Sequence, residues 1–83
     1  MEAQKPATAF DDIEALTSRE LEVLRLVSAG ATNSEIGARL GLTIHAVKFH
    51  LASVYRKLGV ANRTEAAVAF LTADGALSPG LEG

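Results

Sequence analysis

Cysteine is absent from the 83 residues, and with it both a disulfide framework and a thiolate zinc site. There is no tryptophan, only one tyrosine and three phenylalanines, so a core must be built mainly from aliphatic side chains. Two histidines and no cysteine leave too little for a nucleophile–base pair or a metal-ligand cluster. Paired carboxylates and a phosphate-cradling glycine loop are missing too, so an enzyme is not expected, and neither is a metal or other cofactor. The longest fully apolar run, Ala66 to Leu71, is far short of a membrane span. The acid-bearing start has no apolar stretch of the kind a secretory signal needs. The expected compartment is the cytoplasm. Only two prolines occur, Pro6 and Pro79, both near the ends.

What is present is aliphatic and helical in spacing. Hydrophobic residues make up 48% of the chain, enough for one small domain with a modest core. The formal charge of −2 conceals an uneven distribution. From Thr17 to Arg63 stand seven bases (Arg19, Arg25, Arg39, Lys48, Arg56, Lys57, Arg63) against three acids (Glu20, Glu22, Glu35). The flanking segments are both acidic. A phosphate backbone senses such a basic centre, whatever the total charge. A solvated mixed-charge surface accounts for the same count, so charge alone does not decide.

Capping signals divide the chain into helices. Thr17-Ser-Arg-Glu20 reads as a capping box opening a helix over 18–29, with Gly30 past its end. Its Leu21, Val23, Leu24, Leu26 and Val27 cover most of the circumference, the mark of a central helix. Glu20 falls inside that apolar arc, where capping and buried hydrogen bonding suit it better than catalysis. Thr32-Asn-Ser-Glu35 opens a second helix, 33–40, ending before Gly41. Thr43 caps a third, 44–58, which Gly59 stops. Asn62-Arg-Thr-Glu65 opens a fourth, 63–73, with Gly75 beyond it. No strand-like alternation occurs. The expected fold is all-α and compact over residues 16–75, with an N-terminal tail or linker at 1–15 and a C-terminal tail at 76–83. Phe10, Ile13 and Leu16 are spaced so that part of the first stretch packs as a short turn. The linker-like start is also what an upstream sensory domain would leave behind.

The third helix has two contrasting faces. Val47, Leu51, Val54 and Leu58 share a narrow arc at 100° per residue, with His50 and Tyr55 on its margins. Opposite lie His45, Phe49, Ala52 and Arg56, flanked by Lys48 and Ser53. Small residues beside a Phe let a helix approach a surface, and Lys48 and Arg56 supply positive charge. With the preceding short helix and the Gly41-Leu-Thr43 turn this forms a helix-turn-helix, whose second helix reads a major groove. Lysine donates to guanine O6 and N7, and an apolar side chain touches a thymine methyl. Two other readings remain open from periodicity alone. Phe49 packs on a neighbouring helix and the bases are ordinary surface, or Phe49 anchors a partner protein.

The run from Leu16 to Ala66 resembles the LuxR-type (GerE-like) C-terminal helix-turn-helix DNA-binding domain of bacterial transcription regulators, response regulators among them. The residues that carry the resemblance are Leu16-Thr17-x-Arg19-Glu20-x-Glu22-Val23-Leu24, Gly30, Asn33-x-Glu35-Ile36, Leu40, Val47-Lys48-Phe49-His50, Tyr55-Arg56-Lys57-Leu58-x-Val60 and Asn62-Arg63-x-Glu65-Ala66. The resemblance implies sequence-specific binding of double-stranded DNA, with base contacts from Lys48, Phe49, Ala52 and His45. It implies phosphate contacts from Asn33, Thr43, Arg56, Lys57 and Arg63. For Lys57 and Arg63 a carboxylate partner such as Glu65 or Glu35 is the competing assignment. It further implies a homodimer on DNA through the fourth helix, whose outer strip is Ala67, Val68 and Leu71, and RNA polymerase as a further partner. No small-molecule ligand is expected in this domain. Three positions depart from the family's usual pattern: Gly37 in place of Ala, and Ile44 and Ala46 in place of polar residues. Gly37 should weaken the second helix by roughly 1 kcal/mol.

Overall fold

The computed structural model describes residues 13–73. Four helices run through them: α1, Ser18–Ser28; α2, Asn33–Leu40; α3, Ile44–Leu58; and α4, Arg63–Ala73. There is no strand among the described residues. Residues 1–12 of the tail expected over 1–15, and all of the tail expected over 76–83, lie outside them. At Ile13 the chain is already packed. Its side chain packs against the cluster formed by Leu24, Val54, Leu58 and Ala66, and its carbonyl accepts a hydrogen bond from Leu16 N at 3.1 Å. Ile13 and Leu16, two of the three residues spaced for a short turn, thus pack together on the second core cluster, while Phe10 lies outside the described residues.

Each helix start satisfies its free backbone N–H groups locally. Thr17 and Glu20 form a reciprocal capping box at α1, Thr32 and Glu35 another at α2. At α3 only the threonine half is present, Thr43 Oγ1 accepting from Ala46 N at 3.0 Å. Asn62 Oδ1 accepts from Glu65 N, and the Glu65 carboxylate turns back to Ala61 N. α1 ends one residue earlier than the spacing suggests, at Ser28, with Ala29 as its cap.

The core consists of two clusters on either side of α1. Val23, Val27, Ile36, Val47 and Leu51 form the first; Leu24, Val54, Leu58 and Ala66 form the second. Adjacent residues Val23 and Leu24 point into different clusters, so a wide apolar arc is what α1 needs to touch the other three helices. Phe70 completes the α1–α4 contact, with the Arg25 guanidinium 5.9 Å from its ring centroid.

Candidate nucleic-acid interface

α2 and α3 meet through a three-residue turn that sets the angle between them. Gly41 takes φ 71°, a left-handed conformation that costs other residues steric energy. Leu42 N then donates to Gly37 O at 2.8 Å, and Leu42 packs on the first core cluster. A Cβ on Gly37 would stand 2.5 Å from the Leu42 carbonyl oxygen. Gly37 is thus a point where α2 and the turn come too close for a side chain. An alanine here requires the turn to open, an aspect of this position that helix propensity alone does not reveal.

α3 is split as its periodicity predicts. Val47, Leu51, Val54 and Leu58 are buried, while His45, Lys48, Phe49, Ala52 and Arg56 are exposed. Phe49 is 69% exposed, which excludes packing on a neighbouring helix. Its ring forms a T-shaped pair with the His50 ring, at 5.9 Å between centroids and 69° between planes. Ile44, at the first turn, is 48% exposed. The face that lies opposite the core therefore combines an aromatic ring, two small or aliphatic surfaces and basic side chains at Lys48 and Arg56.

Two of the expected phosphate contacts have internal partners. The Lys57 ammonium lies 2.8 Å from Glu20 Oε1, the Ser53 hydroxyl donates to Glu20 Oε2 at 2.5 Å, and Thr17 N donates to Glu20 Oε1 at 2.9 Å. Burial by itself would raise the Glu20 pKa. The hydrogen bonds from Lys57, Ser53 and Thr17, with the Lys57 charge, outweigh it and hold the carboxyl at about 2, down from 4.5. Arg63 donates to Asn33 Oδ1 at 2.8 Å and to the Ala31 carbonyl. The carboxylates considered as partners, Glu35 and Glu65, are occupied by their own helix caps. Glu20 was recognisable as a buried hydrogen-bonding group, but its partners stand 33 and 37 residues away. A carboxylate inside an apolar arc does signal that some facing helix must bring a cation. It does not say which.

Asn33, Thr43 and Arg56, the other three expected phosphate contacts, retain donor groups. With Oδ1 held by Arg63, the Asn33 amide N–H groups face away from that bond and are available as donors. Thr43 accepts at its oxygen and keeps its hydroxyl proton. Arg56 leans weakly on Ser53, 3.4 Å away. On α4, Ala67 is half-buried and packs in part against the first core cluster. Its neighbour Val68 is 48% exposed and Leu71 is half-buried. Among the described residues no group of His, Asp and Glu could hold a metal, and no helix is long and apolar enough to cross a membrane.

Residues 14–70 match the profile of the luxR family of bacterial regulatory proteins. Over 55 residues the chain is 53% identical to the transcriptional regulatory protein LiaR of Bacillus subtilis, covering 66% of this chain and 26% of that protein. It is 43% identical over 63 residues to the putative HTH-type transcriptional regulator YhjB of Escherichia coli, covering 76% and 32% respectively. With the transcriptional activator protein AhyR of Aeromonas hydrophila it shares 46% over 72 residues, 87% of this chain and 27% of AhyR. The chain thus spans about a quarter to a third of the length of these curated relatives.

Proposed function

The chain belongs to the luxR family of bacterial regulatory proteins, and on that premise we propose that it reads specific sequences in duplex DNA to regulate transcription, with α3 in the major groove. The observation that carries this reading is the exposed face of α3, where Lys48, Phe49, Ala52 and His45 stand away from the core. These four contact base edges. Arg56, the Thr43 hydroxyl and the Asn33 amide contact phosphates, helped by the N–H groups at the start of α2 and α3. Lys57 and Arg63, each held by an internal partner, act mainly as positioning residues: Lys57 fixes α3 to the start of α1, and Arg63 orients Asn33. A second copy binds beside the first through Val68 and Leu71 of α4, setting two reading helices on successive turns of the groove. Such a reader works at the nucleoid, in the cytoplasm.

A gel-shift titration against salt tests the central claim. If a dimer neutralises about six phosphates, log K falls against log salt with a slope of roughly −5. A flat response, or no shift of any duplex at low salt, would instead favour Phe49 as an anchor for a protein partner.

A further inference from the structure

We propose that the reading face of α3 recognises its DNA chiefly through the 5-methyl groups of thymine, with Phe49 as the side chain that covers them. The inference rests on the DNA-reading assignment above and adds the chemistry by which bases are told apart.

The argument begins with what α3 does not carry. Its sequence, IHAVKFHLASVYRKL, contains no Asn or Gln and no Asp or Glu. Bidentate recognition of adenine uses an Asn or Gln amide, and recognition of the cytosine amino group uses a carboxylate. Neither is available anywhere on the helix. The exposed residues of its first half are Ile44, His45, Lys48 and Phe49, with Ala52 one turn further on. Only His45 and Lys48 among these present a polar group to a base edge. Arg56 stands further along, toward Ser53. Apolar surface therefore dominates the part of α3 that a groove would receive. The one apolar feature the major groove offers is the thymine methyl.

Phe49 is built for that contact. The residue is 69% exposed, and its ring pairs with that of His50 in a T-shaped contact. A ring with two side-chain torsions loses little conformational entropy on binding. Ala52, three residues on, is small enough for the backbone to come close to the bases. Lys48, the neighbouring residue, supplies a donor for guanine, so thymine and guanine are the bases this face can distinguish.

The test uses a duplex selected by the full chain from a randomised pool, and a second duplex in which each thymine is replaced by deoxyuridine. Pairing and phosphates are the same in both, and only the methyl groups are lost. The wild-type chain should bind the deoxyuridine duplex more weakly, by about fourfold for each methyl it covers. Phe49→Ala, a substitution at an exposed position that leaves the core intact, should bind both duplexes alike. Equal wild-type affinity for the two, each still well above a scrambled duplex, would overturn methyl recognition and leave the DNA-reading assignment standing. Discrimination that persists in Phe49→Ala would overturn the role given to Phe49. A chain that prefers no duplex over the scrambled one would remove the DNA-reading assignment, and this inference with it.

Discussion

Glu20 shows how much a single buried group can govern. With its pKa held at about 2, the folded chain binds that proton less readily than the unfolded chain, whose carboxyl titrates near 4.5. The stabilisation is fully present above about pH 4.5 and is lost as the pH falls through the folded value. Its size is about 3 kcal/mol. Urea melts across this range should show Glu20→Gln less stable than wild type near neutrality, with the gap closing as the pH approaches 2. A gap that stays constant would mean the carboxylate is not the titrating group. Lys57→Ala removes the cation from the same carboxylate and should lower stability by roughly 3 kcal/mol, the lower end for a broken buried pair because the Lys57 side chain is 31% exposed. Lys48→Ala makes the contrast. It should leave the melting temperature unchanged, cost roughly 1–3 kcal/mol of DNA affinity and relax preference at one position in each half-site. Competition against a panel of single-base variants would separate that from a uniform loss.

At the scale of the element, the start of α3 combines two tasks in one side chain. Thr43 Oγ1 caps the helix through Ala46 N and keeps a proton free to donate. Thr43→Ala should therefore lower stability by about 1 kcal/mol and weaken binding to all duplexes alike, whereas Thr43→Ser should retain both properties. Thermal melts and gel shifts on the two variants check it, and a sequence-dependent loss in Thr43→Ala would place the residue among the base readers. The helix limits were legible because capping boxes and terminal glycines act within four residues of chain, and only the end of α1 differs, by one residue. The turn was less legible. Gly37 reads as a weak helix former, yet its place is defined by the Leu42 carbonyl, a contact made only after the chain reverses direction.

For the whole molecule, assembly depends on how much apolar surface remains once the core is complete. With Ala67 and Leu71 each half-buried, Val68 is the most exposed residue of the expected strip on α4. So small a strip should leave the free chain monomeric at micromolar concentration, since interfaces well below about 1,000 Å² are weak. Two half-sites on one duplex raise the effective concentration of the second copy, and cooperative binding should appear there. Val68→Glu, at an exposed position, should abolish the cooperativity and spare affinity for a single half-site. Sedimentation together with half-site titrations would decide it, and cooperativity that survives the substitution would move the contact to another surface.

Periodicity and capping determine which residues are helical and which face of each helix is apolar, because both act through neighbours within one or two turns. They were sufficient to place His45, Lys48, Phe49, Ala52 and Arg56 together on the outer face of α3. Partners across the core were decided by tertiary structure alone. Lys57 and Arg63 look like surface bases along the chain, and the packing of α3 and α4 brings them to Glu20 and to Asn33. Ala67 has the spacing of an outer strip and is half-buried against the first core cluster. The reason is common to all three. Helical spacing gives the direction of a side chain about its own axis, while the group it meets is set by where the other helices lie, and that follows only from packing the whole core.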